Sequence, residues 1–197
     1  RVFINKHFFS YRYDYRQEWL RFTSLLAGRD PAVSAAQRSI EALANLVESP
    51  AGALWLRNAE GSFAQAARWN LPQRSEQLGA AEPLPRFLER TGWVVDLAQY
   101  RAEAGRYPGL ELPAWLAALP AAWLIVPIIA QEELIGFVVL ATPRTPIEVN
   151  WEVLDLLKTA ARQVASFLAQ LQASEALLEA RKFESFNKMS AFVVHDL

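Results

Sequence analysis

The spacing of hydrophobic residues along this chain changes twice, from a helical period to alternation and back to a helical period. Near the N-terminus apolar residues recur every three or four positions, which predicts an amphipathic helix that ends at Gly28. A second helix is predicted from Asp30–Pro31, a cap residue before the residue favoured at the first helical position, to a stop at Ser49–Pro50. The stripe of the first helix comprises Tyr15, Trp19, Phe22 and Leu26.

The middle of the chain contains two pairs of β-rich runs. The runs at 51–58 and 62–70 are joined by a short turn that contains Gly61, and those at 123–129 and 133–142 are joined by a polar dipeptide. Each pair predicts a β-hairpin, because short alternating runs on either side of a turn favour antiparallel pairing.

Between these hairpins the pattern is less regular. It predicts a short helix at 84–92, a strand at 93–98 and a loop region at 99–121. The order of helices, hairpins and a final helix predicts an α+β fold in which helices flank an antiparallel sheet.

One helical pattern runs from Asn150, a predicted N-cap, to Leu197 without an internal Pro or Gly. Its apolar residues first repeat as in a heptad, which predicts a coiled coil. A second stripe resumes at Phe186 out of heptad phase, so the stretch 172–185 is either a place where a helix bundle switches its packing or a relaxed surface helix. The first seam comprises Leu154, Leu157, Ala161, Val164, Leu168 and Leu171, and the second comprises Phe186, Met189, Val193 and Leu197.

The composition excludes several functional classes. The 197 residues are 52% hydrophobic with a formal net charge of -1, so a core forms and nothing global attracts nucleic acid. The absence of Cys excludes disulfides, thiolate nucleophiles and thioether-attached chromophores, and suits a reducing compartment. Two histidines far apart in the sequence predict no metal site, and the longest apolar run is too short for a bilayer.

The N-terminal segment 1–22 interleaves five cations with eight aromatic rings. This mixture is typical of the headgroup layer of a membrane, so we expect a transmembrane segment upstream of residue 1. The same residues are also compatible with a packed amphipathic helix, and with a surface for single-stranded nucleic acid that the net charge disfavours.

His195 lies near the end of the final helical pattern. At 100° per residue it shares the face opposite the second apolar stripe with Glu184 and Lys188, so we expect its imidazole to face solvent. On periodicity alone, both a solvated surface histidine and a functional one remain open.

The strands GALWLRNAEGSFAQAARWN and WLIVPIIAQEELIGFVVLAT resemble those of a GAF domain, a small sensory module with an antiparallel sheet flanked by helices. The chromophore Cys and the Asn-Lys-Phe-Asp-Glu pattern of cyclic-nucleotide-binding members are absent. The resemblance therefore implies a sensory domain for an unknown small ligand and does not support those two ligands.

The terminal segment FNKMSAFVVHDL resembles the start of the dimerisation helix of a histidine kinase. Together with the GAF-like middle, nearly the whole chain resembles the sensor histidine kinase of PEP-CTERM/exosortase systems, the PrsK type. The resemblance implies that His195 is the phosphoryl acceptor and that Asp196 is its acid-base neighbour. It also implies a homodimer through the C-terminal helix, a response-regulator partner, and a position on the cytoplasmic side of the bacterial inner membrane.

The resemblance divides the chain into a juxtamembrane helix at 1–28, a GAF-like sensory domain at 29–149, a coiled-coil signalling helix at 150–182 and the start of the dimerisation helix at 183–197. We expect the chain to be part of a longer protein, since its helical pattern stops at Leu197. The parent kinase would use ATP and Mg²⁺, whereas this fragment lacks the ATP-binding domain and is expected to be inactive, with no cofactor or metal of its own.

The space between the sheet and the irregular region 71–121 is a candidate pocket for the small ligand. Aromatic side chains at strand and loop positions either line such a pocket or only fill the core. The candidate lining residues are Trp55, Trp69, Tyr100, Tyr107 and Trp123.

Two other functions are compatible with the same pattern. The GAF-like module would serve another output, such as a cyclase, a phosphodiesterase or a transcription activator, or it would bind nothing and act as a dimerising spacer. The residues that follow Leu197 separate the kinase from the other outputs.

Overall fold

The computed structural model of this chain describes residues 16–195, and the side chains of residues 16–194. The helices are α1 (described over 16–26), α2 (Ala35–Leu46), α3 (Pro83–Thr91), α4 (Leu97–Ala102), α5 (Ala114–Ala117) and α6 (Trp151–His195), with a 3-10 turn at Ala104–Arg106. The strands are β1 (Gly52–Arg57), β2 (Ser62–Trp69), β3 (Leu78–Gly79), β4 (Val95–Asp96), β5 (Ala122–Ala130) and β6 (Glu133–Ala141).

The six strands form one antiparallel sheet in the order β3-β2-β1-β6-β5-β4. The pairings of β1 with β2 and of β5 with β6 confirm the two predicted hairpins, and β1 joins them by pairing with β6.

Gln131 and Glu132, between β5 and β6, have φ values of 51° and 66°. Positive φ at both central residues gives the turn the twist that a two-residue hairpin needs.

Pro127 lies inside β5, opposite Phe137 of β6. Proline has no N–H to donate, so it is normally excluded from strands that are paired on both sides. Here the second neighbour, β4, pairs only with Leu124 and Ile125 and does not reach Pro127. The short edge strand therefore makes proline compatible with a strand that is otherwise deep in the sheet.

One face of the sheet is covered by α1, α2 and α6. Leu54, Leu124, Val126, Val138 and Leu140 project from this face into a core cluster with those helices. Alternate residues of the same strands project from the opposite face, as the period of two in a strand requires.

The described part of α1 belongs to the first core cluster. Phe22 and Leu26 are buried there, and Trp19 packs against them, its ring centroid 5.1 Å from that of Phe22. The end of the predicted juxtamembrane segment is therefore a packed amphipathic helix, while its residues 1–15 lie outside the described residues. None of the helices in the described range is both long and apolar enough to cross a bilayer.

Helix α6 begins as predicted. The Asn150 side-chain oxygen accepts hydrogen bonds from the backbone N–H groups of Glu152, at 3.1 Å, and Val153, at 3.0 Å, which is the geometry of an N-cap. These bonds satisfy two of the four N–H groups that a helix start leaves without helical partners.

The first half of α6 packs against the chain's own sheet and α2. Leu157, Ala161, Val164 and Leu168 are buried in the first core cluster. The predicted heptad seam over 154–171 is thus largely used inside the chain, and the structure does not show a coiled coil. Sheet packing and a coiled coil both select apolar residues three and four apart, so the pattern alone did not separate them. From residue 172 to residue 194 every side chain of α6 is exposed.

The start of α2 differs from the prediction. Its N-cap is Ser34, whose hydroxyl accepts a hydrogen bond from the Gln37 N–H at 3.1 Å. Asp30 instead caps a turn, because its carboxylate accepts from the Ala32 N–H at 2.9 Å. An aspartate followed by proline starts turns as readily as helices, so the motif did not decide between them.

The region between the hairpins is also more structured than the predicted loop. The predicted strand at 93–98 shortens to β4, after which α4 starts with the Asp96 carboxylate as its cap, 3.0 Å from the Ala98 N–H. The short elements α4, α5 and β3 are held by contacts with the sheet, and such elements leave little periodicity in the sequence.

Candidate functional site

The second face of the sheet and the region between the hairpins enclose the candidate ligand site. Ala53 and Trp55 of β1, Ile125 of β5, and Phe137 and Val139 of β6 project from this face into a second core cluster. Helices α3, α4 and α5 and their connections cover it. This is the space that the sequence predicted between the sheet and the irregular region.

Aromatic rings fill much of this space. The Trp55 ring stacks on that of Phe137, with centroids 5.5 Å apart and an interplanar angle of 5°, and it lies 5.3 Å from the ring of Trp115. The Phe63 ring lies 6.0 Å from that of Phe137. Such contacts stabilise the core beyond simple burial.

Tyr107 connects several loop elements on this side. Its hydroxyl donates to the Gln99 side-chain oxygen at 2.6 Å and accepts from the Asp96 N–H at 3.1 Å. Its ring meets those of Phe87 and Tyr100 edge to face, each with centroids 6.1 Å apart. Burial is the main reason why the pKa of Tyr107 is raised above its ordinary value of 10.0.

The structure divides the five predicted lining residues between the two faces. Trp55, Tyr100 and Tyr107 belong to the loop-side cluster. Trp69 and Trp123 pack in the cluster beneath α1, α2 and α6. The five rings therefore do not line one pocket. The face of the sheet on which each ring lies depends on the strand register, and the amino-acid composition of the β-rich segments did not determine that register.

Among the described residues, the loop side includes two concave features. A cavity of about 20 Å³ lies between the sheet and the connection that follows β2. A wider groove of about 370 Å³ runs along α3. In that groove Arg90 donates to the Pro108 carbonyl at 2.7 Å, and the Glu89 carboxylate accepts from the Leu134 N–H at 3.1 Å, so both side chains already support the fold.

Three residues near the small cavity were not predicted from the sequence. Arg74 and Gln65 line it, and Trp115 contacts Trp55 on one side and the Arg74 guanidinium, 5.4 Å from its ring centroid, on the other. The Gln65 side-chain oxygen accepts a hydrogen bond from the backbone N–H of Arg74 at 2.9 Å, which holds the loop over the sheet. No periodicity marks a loop arginine, so only the tertiary structure places it there.

The histidine-bearing end of the chain is far from these aromatic residues in sequence. Helix α6 continues to His195, whose side chain lies outside the described residues, as does Asp196. On the face predicted for His195, Glu184 and Lys188 form an exposed ion pair at 3.4 Å. Within residues 16–195, no group of three or more His, Asp or Glu side chains is arranged to hold a metal ion.

The family profile described as "GAF domain" matches residues 32–168, which is well over half of the chain. The chain belongs to the GAF domain family. The match ends at the residue where α6 leaves the core, so the first half of α6 is part of the GAF domain. No curated protein sequence matches the chain.

Solved structures of several other proteins share the fold. The GAF domain of an Acinetobacter phosphoenolpyruvate-protein phosphotransferase is 15% identical with a TM-score of 0.59, over 80% of this chain and 93% of that one. A methyl-accepting chemotaxis protein is 16% identical with a TM-score of 0.56, over 72% and 91%. The chromophore-binding domain of Stigmatella aurantiaca bacteriophytochrome is 14% identical with a TM-score of 0.51, over 81% and 60%. The neighbours belong to varied signalling proteins, so the fold is that of a GAF sensory domain.

Replacing Tyr107 by Phe is expected to destabilise the GAF domain by about 1–2 kcal/mol at about pH 8, because the Gln99 oxygen and the Asp96 N–H both lose their partner. The loss is measured by urea unfolding followed by circular dichroism. Tyr100→Phe is the control, since its hydroxyl makes a longer bond of 3.3 Å to the Leu110 carbonyl. Equal stability of Tyr107→Phe and the wild type would contradict this role.

The same variant predicts a pH dependence. The folded state keeps the Tyr107 proton above pH 10.0, where the unfolded chain releases it. The contribution of Tyr107 to the free energy of unfolding is therefore complete at lower pH and is lost as the pH rises through the raised pKa. We therefore expect the stability difference between wild type and Tyr107→Phe to shrink as the pH rises above 10.0.

Proposed function

We propose that this chain is the sensory and linker part of a sensor histidine kinase, in which the GAF domain acts through α6 on His195. The observation that supports this most is the continuity of α6, 45 residues from Trp151 to His195. At 1.5 Å per residue, this helix is about 68 Å long. Its base is buried in the GAF core, so a movement of the sheet would be transmitted along a single rod to the histidine.

The two apolar stripes of α6 support the same proposal. Leu157 in the GAF core and Val193 near the end are separated by about ten turns of 3.6 residues, so they lie on one face of the helix. When positions are counted at the 3.6 residues per turn of an α-helix instead of the 3.5 of a heptad, the terminal stripe lies on the same side of α6 as the residues that face the GAF core. The charged residues Glu175, Glu179 and Lys182 interrupt this face between the two stripes.

The terminal stripe favours a homodimer. Phe186, Met189 and Val193 are 68%, 70% and 60% exposed within the single chain. A row of exposed apolar side chains on a projecting helix is a protein-protein contact surface, and a parallel second copy would cover each layer with its equivalent. We therefore assign pairing to the end of α6 rather than to the seam over 154–171.

His195 would carry the chemistry. Its neutral imidazole nitrogen attacks the γ-phosphorus of ATP, forming an N–P bond while the bond to the leaving ADP oxygen breaks. Asp196 or solvent takes the proton that the imidazole loses. ATP and Mg²⁺ would be bound by a domain beyond this chain, a response regulator would accept the phosphoryl group, and the protein would lie on the cytoplasmic side of the bacterial inner membrane.

A second candidate function is a dimerising spacer that binds no ligand. The observation that favours it is the aromatic filling of the loop side, where Trp55, Phe137 and Trp115 leave a cavity of only about 20 Å³. A GAF domain that regulates another output is the alternative to a kinase. The phosphorylation experiment described next distinguishes a kinase from such an output.

The test uses the full-length protein with radiolabelled ATP and Mg²⁺. We expect label that is stable in base and labile in acid, as a phosphoramidate is, and peptide mapping should locate it in the segment containing His195. Acid-stable label, label on another segment, or the absence of any ATP-binding domain after Leu197 would contradict the kinase proposal.

A further inference from the structure

The stretch of α6 between the GAF core and the terminal stripe places its charges where a coiled coil normally has apolar residues. When the terminal stripe is counted as a heptad, Phe186 and Val193 take position a and Met189 takes position d. The same register, extended toward the GAF domain, gives the preceding a and d positions to Gln172, Glu175, Glu179 and Lys182. The side of the helix that continues the seam is therefore polar over these layers and mostly charged.

The positions beside these layers carry no charge. In a parallel coiled coil, positions e and g flank the seam, and opposite charges there form ion pairs between the two helices. In this stretch they are occupied by Ala176, Leu178, Phe183 and Ser185. The usual arrangement is reversed, with charge in the seam and apolar or small residues beside it. No flanking ion pair therefore compensates the charges in the seam.

The charges in the seam also have no partner inside the chain. Glu175, Glu179 and Lys182 are exposed, as is every side chain of α6 from 172 to 194. Among the residues that the structure describes, none of the three belongs to an ion pair. The ion pair between Glu184 and Lys188 lies on the face opposite the seam. A second copy would therefore meet these charges without direct neutralisation.

A parallel second copy brings each residue of the seam opposite its own equivalent. The Glu175 of one copy then faces that of the other, and the same holds for Glu179 and for Lys182. Like charges at such short distance repel, and a charge buried without a partner costs free energy. Pairing is therefore favoured by the apolar layers at the end of α6 and opposed by the charged layers before them.

We propose that residues 172–185 form a charged spacer, which holds the two α6 helices apart between the GAF domains and the paired terminal stripe. This inference rests on the homodimer of the proposed function and describes how its helix pair is divided. A movement of the GAF domains would change the distance between the charged layers before it reaches the stripe beside His195. The charged spacer is thus the part of the pair whose packing can change without separating the apolar layers.

The test mixes two forms of the purified chain, one of which carries a short tag so that their masses differ. The tagged form inverts the charges of the seam by Glu175→Lys, Glu179→Lys and Lys182→Glu. In a heterodimer with the wild type every charged layer pairs opposite signs, whereas both homodimers keep like charges. We expect the equilibrium constant for converting homodimers into heterodimers, measured by native mass spectrometry, to exceed that of random pairing at least about tenfold.

A matched control separates the seam from the net charge. Glu184→Lys changes the net charge of the chain by the same amount as the inverted variant, but it lies at position f, away from the seam. The tagged control should pair with the wild type at random. All the substituted side chains are exposed in the single chain, so each variant should keep the thermal midpoint of the GAF domain.

A second variant closes the charged spacer. Replacing Glu175, Glu179 and Lys182 together by Leu would continue the apolar seam from the terminal stripe toward the GAF core, since leucine at a and d favours pairing. We expect the dissociation constant of the dimer, measured by sedimentation equilibrium, to fall at least about tenfold. An unchanged dissociation constant would show that these side chains face solvent instead of the second copy, and would overturn the proposal.

Random pairing of the charge-inverted chain with the wild type would overturn the proposal as well. A chain that stays monomeric would overturn both the charged spacer and the homodimer. Pairing is measured without ATP, so preferred heterodimers with no phosphorylation of the full-length protein would contradict the kinase proposal alone. Acid-labile label at His195 together with random pairing would contradict the charged spacer alone.

Discussion

Replacing Gly136 by Ala is expected to destabilise the GAF domain by about 3 kcal/mol, at the upper end of the cost of overpacking a core. Gly136 lies in β6 between Leu56 of β1 and Ile128 of β5. A Cβ at this position would press against the Trp55 backbone carbonyl oxygen and lie 2.8 Å from the Leu56 side chain. A side chain can rotate away, but the Trp55 carbonyl is held in the sheet, so the strands themselves must separate.

Urea unfolding followed by circular dichroism measures this loss. Gly105→Ala is the matched control, because nothing lies within 4 Å of a Cβ built there. The control should be as stable as the wild type or slightly more stable, since alanine restricts the unfolded chain. A Gly136→Ala domain within about 0.5 kcal/mol of wild type would show that the sheet relaxes at no cost.

Replacing Phe186 and Met189 together by Lys is expected to convert the proposed dimer into monomers, raising the dissociation constant by at least about 100-fold. Each ammonium group would have to be buried between the paired helices without a partner. The GAF domain itself should keep its thermal stability, because both side chains are exposed within the single chain. Sedimentation equilibrium over a range of concentrations measures the change.

The control combines Glu184→Gln with Asn187→Lys, which adds the same charge on the other sides of α6. It should dimerise like the wild type, since exposed charges and the Glu184–Lys188 ion pair contribute little. A wild-type chain that stays monomeric, or a Phe186/Met189 variant that dimerises normally, would contradict the seam.

Cysteine cross-linking locates the seam independently, because the chain has no native Cys. Met189→Cys should form a disulfide between protomers under mild oxidation. Val164→Cys, at a side chain that is 0% exposed, should not, because it lies in the GAF core of its own chain. A disulfide formed by Val164→Cys but not by Met189→Cys would indicate that the two chains pair through the heptad residues at 154–171.

Local pattern was sufficient for elements whose residues interact with their neighbours in sequence. The two hairpins followed from β-rich runs around short turns, and the start of α6 followed from Asn150. The GAF resemblance rested on the same strands and is confirmed by the family match.

Local pattern did not decide the structure where one sequence pattern is compatible with two different structures. Asp30 caps a turn instead of a helix. The heptad residues from Leu154 to Leu168 pack in the core of their own chain, and the structure does not show the predicted coiled coil. Trp69 and Trp123 lie on the α6 side, away from Trp55. In each case a contact distant in sequence decided the outcome, and local spacing carries no information about such contacts.

The sequence by itself determined the α+β class, the hairpins, the GAF family and the long helix that leads to His195, because periodicity and turn chemistry act over a few residues. Only the tertiary structure decided which rings face the loop side, that the base of α6 is buried in its own domain, and that Arg74 meets Trp55 at a cavity. The physical reason is that strand register and loop closure bring together residues whose separation in the chain leaves no local pattern.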